Sequence, residues 1–254
     1  MPSTPSSEAV ASGAVAPRST PWGRRAEPPA TKRSGRWRYF FVAFAVLYTV
    51  LSIIGFTPSF LSGPPIPVIA YVHGALMSVW LALFITQTRL AAAGNLSRHR
   101  EIGQMGAWFA VAIWISMIVA MVTGLVRYHP EIDSFLYDVL MVEIGVLVLF
   151  AVFFTWGMLA RANAGWHRRL MTLATLLLVQ AGLDRMRWQP IPGPMLIWAL
   201  LVPFFVFDIV TTRRVHPATL IGTGLIVSSH LTILMNWGSP AWHEAAHRAF
   251  SHLQ

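Results

Sequence analysis

Residues 67–100 read PVIAYVHGALMSVWLALFITQTRLAAAGNLSRHR. From Pro67 to Thr88 there is no Asp, Glu, Lys or Arg. About 20 such residues, wound as a helix, cross the ~30 Å hydrocarbon layer of a bilayer. The run then breaks at Gly94-Asn95 and delivers Arg98, His99 and Arg100. An apolar span closed by a basic turn is the unit from which this chain is built.

Working outward, seven such runs appear, at about 39–57, 67–90, 105–126, 134–159, 166–184, 195–212 and 217–236. They predict an all-α polytopic membrane protein, a seven-transmembrane-helix bundle. Composition agrees: 55% of the 254 residues are hydrophobic and 11% charged, against about 25% charged in a soluble domain. Such a chain cannot clothe itself in polar surface, so lipid is part of its solvent. The net charge of +9 lies in short segments between apolar runs rather than on a soluble face, which argues against nucleic acid as a partner. There is no cysteine, so disulfides, thiolate sites and iron–sulfur clusters are excluded. The lone lysine, Lys32, lies outside every run, which excludes a retinal Schiff base.

Basic residues fix the expected orientation. Alternating seven spans places fifteen Lys and Arg on one side and four on the other, and without the seven of the N-terminal tail the division is still eight to four. By the positive-inside rule the N-terminus is cytoplasmic and the C-terminus outside the cell inner membrane. Trp37, Trp166, Trp188 and Trp237 sit at run ends, as interfacial aromatics do. Residues 1–37, rich in Pro, Ser, Ala and Arg, are expected to form a disordered basic cytoplasmic tail. Residues 38–236 form the transmembrane domain. Residues 237–254 are expected to form a short amphipathic helix on the outer membrane surface.

The second, fourth and sixth runs are each followed by a basic turn that brings a histidine to the next helix: His99, His167 and His216. Parallel duplication of helical hairpins gives such a pattern, and so does chance likeness of Ala/Arg-rich loops. Two further histidines lie inside runs. His73 and His230 are each six residues from the outer end of their span, so both lie roughly 10 Å below the outer surface. Two neutral imidazoles at one depth could ligate a haem b iron from both sides, or each could simply hydrogen-bond a neighbouring helix. For the inner three, an N-cap beside Pro217 or contact with lipid headgroups competes with a metal, haem or anion site.

Acidic residues inside the runs are Asp138, Glu143 and Asp208, candidates for proton transfer or ion pairing, because an unpaired carboxylate at that depth is costly. In the tail, His243-Glu244-Ala-Ala-His247 matches the H-E-x-x-H zinc pattern. A third ligand is needed, and only seven residues follow.

The segment His99-Arg-Glu-Ile-Gly103 resembles a family of bacterial multi-span membrane proteins with an H-R-x-x-G motif after a helix. His73-Gly-Ala-Leu-Met77, Trp166-His-Arg-Arg-Leu-Met171 and His216-Pro217 look like the same family, over roughly residues 70–240. That resemblance implies a fold and no reaction. More distantly, His73 to Met77 followed by His99 is similar to the cytochrome b561 group, which implies haem ligated by histidines on adjacent helices and electron transfer. Here His99 and His167 sit at helix starts, which departs from the two-haem pattern. Small membrane factors that assist haem-copper oxidase assembly are also similar in size and histidine use, which implies respiratory-chain components as partners. Three functions follow as expectations: haem b binding for electron transfer or oxidase assembly, a cofactor-free proton-coupled transporter, and an assembly protein without chemistry of its own.

Overall fold

The computed structural model describes residues 35, 37–62, 67–127, 134–186 and 193–251. Nearly all of the N-terminal tail, the loop tryptophan Trp188 and the last three residues lie outside these. Among the described residues there are eight helices and no strand. They are α1 (Phe40–Ser62), α2 (Val68–Ala93), α3 (Leu96–Arg127), α4 (Ser134–Leu159), α5 (Ala164–Leu183), α6 (Gly193–Thr212), α7 (Pro217–Asn236) and α8 (Pro240–Phe250).

Six of them, α1 to α4, α6 and α7, are long and apolar enough to cross a membrane. The fifth apolar run is helical too, but α5 falls outside that group. Its sequence carries Arg168, Arg169 and Gln180. The reason is its position: every residue from Thr172 to Gln180 is buried, and α5 packs against α1, α4, α6 and α7. Protein surrounds the middle of this helix, so it can hold polar side chains that its neighbours satisfy.

The α1–α5 crossing is very close. A Cβ on Gly55 would lie 2.0 Å from the Gly182 carbonyl oxygen, and one on Gly182 would lie 3.3 Å from the Ser52 Cα. Small residues at such a crossing let backbones touch where no hydrophobic effect drives helices together. Farther along α1, Phe40 stacks on Phe207 with ring centroids 4.3 Å apart. The Arg168 guanidinium lies 5.4 Å from the rings of both Phe41 and Phe207.

Helix starts and stops follow local chemistry. Gly94 adopts φ 77° and ends α2 with its N–H on the Ala91 and Leu90 carbonyls; a left-handed residue there is what glycine supplies cheaply. Asn163 caps α5, accepting from the N–H groups of Gly165 and Trp166. α3 begins at Leu96, ahead of its apolar run at 105, so His99 lies within a helix that projects a polar turn beyond the hydrocarbon.

The two ends of the bundle differ. One, the basic end, gathers the starts of α1, α3, α5 and α7 and the ends of α2, α4 and α6. Contacts there include Arg38 Nε to the Ala92 carbonyl and His99 against His167. The other, the far end, carries α8.

Candidate functional site

At the basic end the Asp208 carboxylate of α6 is fully buried, as is Arg169 of α5. Arg169 donates from Nε to Asp208 Oδ1 at 3.0 Å, and from a terminal nitrogen to the same oxygen. Its other terminal nitrogen donates to the Gly165 carbonyl at 2.8 Å. Asp208 Oδ2 accepts from the His216 N–H at 2.9 Å and from Thr219 Oγ1 at 2.6 Å. Three helices are tied by one carboxylate whose lone pairs are all occupied, so the group is a structural lock.

His216 is the N-cap of α7, with Pro217 behind it. Its Nδ1 accepts from the Ala218 N–H at 3.1 Å, so the ring is neutral. Partial burial, with Arg169 and Arg168 nearby and Asp208 opposing them, holds its pKa down to about 4 from the usual 6.5. The unfolded chain therefore takes up a proton near pH 6.5 that the folded chain refuses until about pH 4. Stability falls as pH drops through that window and is fully present above it. Unfolding followed by tryptophan fluorescence from pH 7 to pH 4 is expected to report this loss. His216→Asn, a cap that accepts without titrating, is expected to flatten it.

His99 and His167 meet, their ring centroids 6.1 Å apart and their planes at 87°. His167 Nδ1 lies 2.8 Å from the Gly157 carbonyl and His99 Nδ1 3.2 Å from the Gln87 carbonyl. His216 does not join the pair; its ring stands 5.5 Å from that of Trp166.

Toward the far end, His73 and His230 have separate partners. His230, on α7, is buried. It accepts at Nδ1 from the Trp198 Nε1–H at 3.0 Å and lies with Nε2 3.1 Å from Gln180 Oε1. Both ring nitrogens are thus engaged, by α6 and by α5. The crevice beside them, lined by Val146, Leu149, Leu177 and Ser229 among others, has no room for a water molecule. His73, on α2, lies 2.9 Å through Nδ1 from Ser116 Oγ of α3. Ser116 spends its own proton on the Ile113 carbonyl at 2.7 Å. Ser116 must therefore accept from His73, which leaves His73 Nε2 as a bare acceptor.

Arg185, just past the end of α5, folds back to donate to the Ala181 carbonyl at 2.7 Å and lies 4.9 Å from the Phe56 ring centroid. From there it acts electrostatically on both His73 and Glu143. Glu143 faces outward on α4 and has no ion pair within 4 Å among the described residues.

Asp138 has another task. Its Oδ1 accepts from the Gly238 N–H at 3.0 Å and meets His243 Nε2 at 2.9 Å. His247 Nδ1 lies 3.0 Å from Tyr137 Oη, and Trp242 donates to the Tyr137 carbonyl at 2.8 Å. The H-E-x-x-H histidines thus fasten α8 to α4, while exposed Glu244 pairs with Arg248 at 3.1 Å. The apolar stripe of α8 packs through Ala246, Trp242 and Phe250 onto Leu125, Tyr137 and Leu140. The ends of α3 and α4 offer that stripe an apolar corner.

No family model, curated protein or solved structure matches the chain.

Chemically, the sites sort by what is left unused. Asp208, Arg169 and His230 have their polar atoms committed to neighbouring helices, and Asp138 commits Oδ1 to Gly238 and His243. Toward the far end, His73 keeps a bare imidazole nitrogen, and Arg185 and Glu143 form no ion pair within 4 Å among the described residues. In the sequence Arg185 stands beside Asp184 at the outer end of a span and counts among the outer basic residues, without a site role. Its only signal was its place beside Asp184 and close after Gln180 at the end of a span.

Proposed function

We propose that the chain is a seven-span carrier of the cell inner membrane, N-terminus cytoplasmic, that moves a small anionic substrate together with protons. α5 is the seventh span, shielded from lipid by its neighbours. The observation that carries the reading is Glu143, a carboxylate within a span that pairs with no cation within 4 Å among the described residues. Ionisable groups at such a depth are costly and are retained where they act. Arg185 and the His73 Nε2 supply the anion-binding and proton-accepting partners beside it.

Uptake into vesicles of a labelled carboxylate, driven by an inward proton gradient, tests the reading. Glu143→Gln is expected to abolish proton-driven accumulation while retaining exchange of substrate for substrate, because a glutamine mimics the protonated carboxyl and never releases its proton. Accumulation unchanged in Glu143→Gln would overturn the proposal.

A second reading, haem b bound by intramembrane histidines in an electron-transfer or oxidase-assembly role, is favoured by the bare Nε2 of His73. Reduced-minus-oxidised spectra of protein made with haem supplied separate the two. A Soret and α band lost in His73→Ala supports haem.

A further inference from the structure

We infer that His99 and His167 form a binding site for one late first-row transition-metal ion, held between two imidazoles at the basic end of the bundle. The site is distinct from the far-end group and stands independently of the carrier reading.

The two histidines come from corresponding places in two hairpins. Asn95 precedes α3 and accepts from the Arg98 N–H at 3.3 Å; Asn163 caps α5 and accepts from the N–H groups of Gly165 at 3.0 Å and Trp166 at 3.3 Å. In each case the histidine follows four residues later, its own N–H on the asparagine carbonyl, at 3.1 Å for His99 and 3.0 Å for His167. In each case the ring reaches back to a carbonyl near the end of the preceding helix. A carbonyl can only accept, so His167 carries its proton on Nδ1 and leaves Nε2 bare. Metal-bound histidines almost always donate their second ring N–H to a carbonyl, carboxylate or water, which fixes the ring and raises its basicity.

His99 has one further partner. The Gln87 amide, oriented with nitrogen toward the His99 carbonyl (3.0 Å) and oxygen toward the Gly103 N–H (3.1 Å), brings that nitrogen within 2.6 Å of His99 Nδ1. In that orientation the amide donates to His99 Nδ1, which puts the ring proton on Nε2. Metal binding requires that proton to move to Nδ1, where the Gln87 backbone carbonyl 3.2 Å away accepts it and the Gln87 side-chain amide must turn its NH2 group aside, and Nε2 is then freed.

Two nitrogen donors select the ion. Imidazole suits Zn, Cu, Ni and Fe, whereas Mg and Ca require oxygen. Among divalent ions copper binds such donors most tightly. Among the described residues no three His, Asp or Glu side chains converge, so the remaining coordination positions are open to water or an exchangeable ligand.

Titration of the full-length, tag-free protein in detergent with Cu2+, followed by EPR, tests the site. One equivalent with nitrogen hyperfine structure is expected. His99→Gln and His167→Gln are each expected to weaken it at least about tenfold, and His243→Gln/His247→Gln to leave it unchanged. Binding carried by the tail histidines, or equal in wild type and both single variants, overturns the inference. A measurement on the wild-type protein guards against variants that fail to fold. Cu2+ is expected to protect His99 and His167 together from diethylpyrocarbonate, mapped by mass spectrometry. Protection of neither also overturns the inference.

Discussion

Replacing Asp208 with leucine is expected to cost about 3–5 kcal/mol of stability, the range for removing one partner of a buried ion pair. The loss comes from what is left behind. Arg169 is fully buried and keeps only the Gly165 carbonyl as an acceptor among the described residues. The His216 N–H and Thr219 hydroxyl lose the oxygen that receives them, and each orphaned donor adds on the order of 1–3 kcal/mol where burial is complete. The double variant Asp208→Leu/Arg169→Met removes the buried charge and is expected to recover part of the loss, though not the contribution of the two α7 donors. Denaturant unfolding in detergent, followed by tryptophan fluorescence, measures all three proteins. A single variant as stable as wild type would show that Asp208 is not the tie between α5, α6 and α7.

The second large effect is at the α1–α5 crossing. Gly55→Ala would set a methyl group 2.0 Å from a backbone oxygen of Gly182, whereas Gly182→Ala meets the Ser52 Cα at 3.3 Å. A backbone oxygen in a helix cannot swing aside, so Gly55→Ala must push two helices apart, at about 1–3 kcal/mol or more. Gly182→Ala needs a shift of tenths of an ångström and is expected to cost clearly less. Gly124→Ala, with nothing within 4 Å, is expected to be neutral or to stabilise by up to about 1 kcal/mol through helix propensity. The order Gly55 worst, Gly182 intermediate, Gly124 harmless is the checkable result. Gly222→Ala makes a useful contrast: its close neighbour is the Leu173 Cδ1 at 2.3 Å, a side-chain end that can rotate.

How much of this was legible in the sequence differs by level. The helices were, because a span must be apolar over ~20 residues and each run ends on Gly, Pro, Asn or Arg. That α5 is a central helix was not. Hydropathy records Arg168, Arg169 and Gln180 as polar but cannot report that α1, α6 and α7 face them. The histidines show the same boundary. Equal depth of His73 and His230 is a one-dimensional fact, and helix packing gave the first to Ser116 and the second to Gln180 and Trp198. The spacing of asparagine and histidine at 95 and 99, and again at 163 and 167, was written in the chain, yet only packing brings the two rings to 6.1 Å. The H-E-x-x-H pattern misleads because helical spacing that could share a metal serves equally to fasten one helix to another. Arg185 had no site role in the sequence because its reach depends on folding back over α5, which no local pattern encodes.

The carrier proposal rests on a proton shared between Glu143 and the substrate step, and proton movement itself is the most direct readout. Protein is reconstituted into vesicles loaded with a pH-sensitive dye, and an inward gradient of a non-permeant carboxylate is imposed. Wild-type vesicles are expected to acidify inside as anion and proton enter together, and Glu143→Gln and Arg185→Gln vesicles to show no acidification above protein-free controls. No acidification by folded wild-type protein across mono- and dicarboxylates, or full acidification in Glu143→Gln, would contradict it.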